Sequence, residues 1–153
     1  MRAPVNLYAA RVHKSGRHGR APSLDFNALD GHVYAPESGR LYRVWEPRGC
    51  GHGFEVRGLR ATHVVCHLAA PVRVANGAYV AEGTLLGRQG YSGHTIPKGP
   101  RGAHVHWQIN RGDWAAIWRE VGLGAWVRSG RAPKSVPKVP RTPATRTLPK
   151  WIR

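Results

Sequence analysis

From Asp25 to Ile109 the chain reads as short apolar runs broken by glycine and proline. Alternating or β-branched runs of this length predict strands, and the breakers predict the turns between them. Candidate strands are Val33-Tyr34-Ala35, then Gly39 to Trp45, with Pro36-Glu37-Ser38-Gly39 turning between them. Gly53 to Gly58 follows, and Ala61-Thr62-His63-Val64-Val65-Cys66-His67-Leu68 is β-branched enough to be central. Beyond Val72-Arg73-Val74, Asn76-Gly77 marks a turn, and Ala78–Gly83 and Thr84–Gly90 are two more strand candidates. Residues 91–102 form a glycine- and proline-rich loop that leads into a last strand, Gly102-Ala103-His104-Val105-His106-Trp107-Gln108-Ile109. Closely spaced strands with turn residues between them predict a mainly β fold, an antiparallel sheet or partial barrel.

The ends have a different texture. Residues 1–24 are basic and lack periodicity, so they read as an irregular leading segment. After the last strand, Asp113 can cap a short helix of about 113–121. Its stripe of Trp114, Ile117, Trp118 and Val121 packs on the sheet, and Gly122 ends it. From Arg128 to Arg153 there are five prolines, eight basic residues and no acid. That composition cannot bury enough apolar surface to fold alone, so a flexible cationic tail is expected. The division is therefore one domain over residues 1–127 and a tail over 128–153.

Charge narrows the partners. Twenty-four Lys and Arg oppose eight Asp and Glu, for a net charge of +16 with histidine neutral. Such a field favours polyanions: nucleic acid, anionic membrane, or a bacterial wall rich in carboxylate and phosphate. No recognised nucleic-acid motif accompanies the charge. No apolar run is long enough to span a membrane, and the first residues lack a secretory signal. The two cysteines, Cys50 and Cys66, are too few for a disulfide framework. A buried free thiol facing away from His67 is the default reading for Cys66, and a Cys50–Cys66 bridge is the alternative.

Candidate chemistry lies in the histidines. In an extended strand residues i and i+2 share a face, so His104 and His106 project side by side, roughly 7 Å apart. That spacing suits one imidazole on a metal and a second beside it, ready to handle a proton. Upstream stand His18-Gly19, then Asp25-Phe26-Asn27-Ala28, Val33-Tyr34-Ala35-Pro36 and Val64-Val65-Cys66-His67-Leu68. A row of spaced glycines, Gly77, Gly83, Gly87, Gly90 and Gly93, precedes the His-x-His strand. His63 shares the strand parity of His67 but lies about 13 Å along it. His32, His52 and His94 lie beside glycine or in loops and read as solvated, although His94 is placed to line a groove.

Taken in this order, residues 16–109 resemble the lysostaphin-type (LytM-like, M23) zinc metallopeptidases, which cut the peptide portion of bacterial peptidoglycan. The resemblance implies one Zn2+ per chain held by His18, Asp25 and His106, with His67 and His104 as unliganded catalytic histidines. It also implies a groove across the sheet. One departure stands out: the family spacing from first histidine to aspartate is four positions, and His18 and Asp25 are seven apart. The extra residues loop out, or His13 takes the first position; Asp30 is a weaker rival to Asp25. Zinc chemistry suits the donor set, because a catalytic site keeps three protein ligands and one open position.

The resulting expectation is a zinc endopeptidase acting on peptidoglycan cross-links, with anionic wall polymers drawn to the basic surface and tail. Lack of a signal, small size and positive charge suggest a phage lysin or virion-associated wall hydrolase, made in the cytoplasm and acting at the wall after release. A non-catalytic wall-binding or phage structural module is the alternative. A basic nucleic-acid-binding protein ranks below both.

Overall fold

The computed structural model describes residues 1–18 and 21–129, with the backbone alone for residues 13–18 and 128–129. Nine strands and two short helices follow in order: β1 Ala10–His18, β2 Ala21–Ala28, β3 His32–Tyr34, β4 Gly39–Glu46, β5 Gly51–Gly58, β6 Thr62–Leu68, β7 Tyr79–Val80, β8 Leu85–Arg88, β9 Val105–Arg111, α1 Trp114–Glu120 and α2 Ala125–Ser129. Seven strands make one open antiparallel sheet in the order β1-β2-β9-β6-β5-β4-β7, and β3 pairs with β8 in a second, two-stranded sheet. The expected mainly β, antiparallel architecture is present, and the sheet does not close into a barrel. No described helix is long and apolar enough to cross a membrane. Most of the expected tail, residues 130–153, lies outside the described residues.

Alternation divides the main sheet into two chemically different faces. Leu24, Phe26, Phe54, Val56, Val65, Val105, Trp107 and Ile109 are fully or almost fully buried, and share one apolar cluster with Ile117, Trp118, Leu123 and Trp126 of the helical segment. The α1 cap is as expected, with the Asp113 carboxylate accepting from Ala116 N–H at 3.0 Å. The opposite face carries Ser23 and Asp25 on β2, His106 and Gln108 on β9, and Val64 and Cys66 on β6. Register aligns Asp25 with His106 and His106 with Cys66. The long sequence gap between Asp25 and His106 is thus closed by one strand pairing.

The core face contains a polar assembly that the sequence reading did not find. The buried Glu37 carboxylate accepts from Arg60 N–H at 2.8 Å and Ala61 N–H at 3.2 Å. His63 Nε2 lies 3.1 Å from the same carboxylate, and Trp107 Nε1 is 3.2 Å from His63 Nδ1. An indole nitrogen can only donate, so Nδ1 accepts and Nε2–H donates to Glu37. A Cβ at Gly58 would sit 2.2 Å from the Glu37 carboxyl carbon, so glycine is what admits the carboxylate here. These bonds lock the turn after β3 to the two central strands, β6 and β9.

Two expectations need correction. The leading segment is not irregular throughout: β1 and β2 form a hairpin, with β1 as the sheet's edge strand. An edge strand has a neighbour on one side only, so its sequence tolerates the charge that masked the alternation. Cys66 is not a free thiol but is disulfide-bonded to Cys50. The bridge pins the turn before β5 to β6, next to His67.

Candidate active site

Asp25, His67, His104 and His106 converge from three central strands. His106 Nδ1 lies 2.7 Å from Asp25 Oδ1, and His104 Nε2 lies 3.9 Å from the same oxygen. The His67 ring centroid is 4.6 Å from that of His104 and 6.1 Å from that of His106. His106 is almost fully buried, and its Nε2 is 3.4 Å from the Gln108 side-chain oxygen.

Parity alone would turn His67 away from this cluster. On β6 the alternation puts Val64 and Cys66 on the groove face, and His63 and Val65 in the core. His67 escapes because its φ is +65°, the one non-glycine residue with positive φ among those described. That left-handed conformation is unfavourable for a residue with a Cβ and is found disproportionately at functional sites. It swings the imidazole onto the groove face, so Cys66 and His67 line the same cleft rather than opposite faces. His67 N–H donates to Cys50 O at 2.8 Å, and Gly90 N–H donates to His67 O at 2.8 Å, which hold the turn in place.

Backbone carbonyls orient both outer histidines. His67 Nδ1 meets Ser92 O at 2.8 Å, and His104 Nδ1 meets Gly102 O at 2.7 Å. A carbonyl only accepts, so each ring carries its proton on Nδ1 when neutral, and Nε2 presents a lone pair. Burial pushes the His67 pKa down to about 4, assisted by His104 and His106 and opposed by the Ser92 carbonyl. His67 is therefore a neutral imidazole at physiological pH.

The cluster lies at the junction of two clefts, of about 660 and 500 Å³, that share His67, His94 and His106. One arm runs over β1 and β2 beside Arg11, Asn27 and Arg101. The other runs over β4–β6 beside Glu46, Glu55, Gln108 and Asn110. The expected groove across the strands is therefore present, with His94 on its wall. Arg11 and Arg101 were missed because one sits in the hairpin read as irregular and the other in the loop.

The remaining candidates separate clearly. Asp30 belongs to a turn, where it accepts from His32 N–H at 3.0 Å, so Asp25 is the carboxylate of the cluster. Trp107 is fully buried and structural, His63 belongs to the core, and His52 stacks on Trp45 at 4.2 Å. The side chains of His13 and His18 lie outside the described residues. Their backbones do not. His18 pairs with Ala21 at the end of β1, whereas the irregularity between Val12 and Lys14 puts His13 across from Phe26 and Asp25. Ala21 lies four positions before Asp25, about 13 Å along β2.

The donor set fits zinc in kind: a carboxylate and an imidazole nitrogen side by side, with further imidazoles adjacent. Among the described residues no three such groups converge on one metal position, and the side chains of His13 and His18 are not among those described.

A model of peptidase family M23 matches residues 19–117, most of the folded chain. The protein belongs to peptidase family M23. An M23 protein of Pseudomonas aeruginosa is 26% identical, with a TM-score of 0.58 over 80% of this chain and 49% of its own. Lysostaphin from Staphylococcus simulans, an antimicrobial peptidase, shares 21% identity and a TM-score of 0.62, covering 92% of this chain and 60% of its own. A zinc-containing peptidase from Vibrio cholerae has 19% identity and a TM-score of 0.56, with 70% and 35% covered. The chain thus spans a third to a half of the first and last of these relatives. No curated protein sequence matches. The M23 match begins just after His18 and includes Asp25, His67, His104 and His106.

Proposed function

We propose that this M23 protein is a zinc-dependent endopeptidase that hydrolyses peptide cross-links of bacterial peptidoglycan. The observation that carries the reading is the Asp25–His106 pair, 2.7 Å apart, flanked by two imidazoles whose Nδ1 atoms are each tied to a carbonyl. Asp25 and His106 would hold zinc together with a β1 histidine, His18 or His13. Zinc, when bound, supplies Lewis acidity to a peptide carbonyl and makes water more acidic. The Nε2 atom of His67 or His104 takes the proton of the attacking water and returns it to the leaving amine. The imidazolium formed in between stabilises the developing oxyanion. No His-Glu-x-x-His helix is present, so histidine supplies the base. Membership of a peptidase family and the lysostaphin-like fold support the wall as substrate. A net charge of +16 supports accumulation there, after release from a cytoplasm as a phage-type lysin or on a virion.

One observation favours a second reading, a non-catalytic wall-binding or phage structural module. Ala21, which has no donor, stands four residues before Asp25, where the family places its first histidine.

Turbidity loss of purified sacculi separates the two. Wild type with zinc lyses them; chelator, His106→Ala or Asp25→Asn lowers the rate by at least about 10³-fold, because each removes a group the reaction requires. Parallel His13→Ala and His18→Ala variants identify the β1 ligand by which one loses bound zinc. Equal lysis by all proteins removes zinc from the mechanism, and one bound zinc with intact sacculi favours the module.

A further inference from the structure

The two arms of the cleft differ in how their charges are satisfied. On the β4–β6 side, Arg48 shares the cleft with two acids: Glu55, which is paired with Arg57, and Glu46, which accepts from Cys50 N–H. On the β1–β2 side, the side chains of Arg11 and Arg101 make no hydrogen bond or ion pair among the described residues, and both residues are exposed. Arg11 stands opposite Asn27 in the β1–β2 register, and Asn27 is two residues beyond Asp25 on the same face. The Asn27 side-chain oxygen accepts from Gln89 Nε2 at 3.3 Å, which turns its amide donors outward. Arg101 reaches the same arm from the 3-10 turn at Pro100–Gly102, just before His104. Among the described residues Asp25 is the one acid lining this arm, already engaged by His106.

We infer that the arm bounded by Arg11, Asn27 and Arg101 is a carboxylate-binding subsite, selecting peptides with a free carboxylate about two residues from the scissile bond. Two guanidinium groups and an amide present only donors, and a carboxylate offers only acceptors. The spacing comes from the strand: Asn27 lies about 7 Å from Asp25 along β2, which an extended substrate covers in two residues. This assignment rests on the peptidase reading and makes it specific, because it favours stem peptides with unamidated carboxylates.

The test uses cross-linked muropeptide dimers in two forms, with carboxylates intact or converted to carboxamides. For the wild type kcat/KM is expected to be about tenfold higher for the carboxylate form, a factor typical of one charge-assisted contact. In Arg11→Gln/Arg101→Gln that ratio falls to near one. Arg73→Gln removes one positive charge outside both cleft arms and keeps the ratio. A wild-type ratio of one overturns the inference, as does an equal collapse with Arg73→Gln, which would trace the preference to net charge. If neither dimer is cleaved, the peptidase reading fails by itself. Calorimetric Kd values for the same two dimers then decide the subsite: tenfold tighter carboxylate binding, lost in the double variant, supports it, and equal Kd values overturn it.

Discussion

His63 and His67 occupy the same strand, four residues apart and with the same nominal parity, yet they do opposite work. Both ring nitrogens of His63 are used by the protein, one by Glu37 and one by Trp107, and the side chain is completely buried. His67 uses Nδ1 on the Ser92 carbonyl, and its Nε2 makes no hydrogen bond among the described residues. The backbone separates them. His63 keeps the pleat and stays with the core, whereas the φ of +65° at His67 reverses its direction. The cost of a left-handed residue, about 1–2 kcal/mol, is tolerated where neighbouring bonds enforce it. A histidine whose two nitrogens are satisfied internally stabilises the fold, and one with a nitrogen facing a cleft is available for chemistry.

The strongest way to break this comparison is to exchange the consequences. His67→Asn keeps a residue type that tolerates the left-handed region but removes the imidazole. Its expected loss of wall-lytic kcat is about 10²–10³-fold, the scale of a missing acid–base group, with the unfolding midpoint within about 3 °C of wild type. A large drop in midpoint with unchanged specific activity would make His67 structural and void the contrast.

The converse substitution has a smaller effect of a different kind. His63→Leu leaves the Trp107 N–H without an acceptor and the buried Glu37 carboxylate short of one donor. A destabilisation of about 2 kcal/mol is expected, from buried groups left unsatisfied. Thermal unfolding should then shift down by roughly 5–10 °C, while the folded fraction keeps its kcat. A loss of kcat without a change in midpoint would place His63 in the catalytic machinery instead.

Those two histidines also show how much the sequence reveals. The alternation of β9 correctly predicts His104 and His106 beside one another, and the order of the motifs indicates Asp25 and His67 as their companions. All four meet in one cluster. Alternation could not show the route that His67 takes, because most histidines in a strand keep the extended backbone and nothing local marks the exception. Cys66 and His67 line one cleft for the same reason, whereas the bridge from Cys66 to Cys50 depends on where the turn before β5 meets β6, which alternation does not give. Glu37 looked like a turn residue, and its burial depends on the missing Cβ of Gly58, which lies far along the chain. Local patterns capture which face a regular strand residue takes, but not contacts made by irregular backbone. Arg11 was hidden likewise: the strand that carries it is charged, lies at an edge and has little periodicity.

The finest probe of the comparison is proton linkage at His63. Burial holds its pKa below the usual imidazole value, opposed by Glu37, which favours the charged ring, and aided by the N-terminal amine. Trp107, the remaining polar group against the ring, donates to Nδ1 and so favours the neutral form. The sign follows from proton counting. Above about pH 6.5 neither the folded nor the unfolded state protonates this side chain, and its contribution to stability is complete. As pH falls below that value, the unfolded chain binds a proton that the folded one resists, and stability declines until the folded pKa is reached. The wild-type denaturant midpoint should therefore be lower at pH 5 than at pH 7, and the slope should be shallower in His63→Leu. The greatest steepness one such group can add is about 1.4 kcal/mol per pH unit. A steeper slope in His63→Leu than in the wild type would mean that Glu37 keeps His63 charged in the fold, half of an ion pair rather than a neutral bridge, and an identical slope would mean that the fold leaves its proton affinity unshifted.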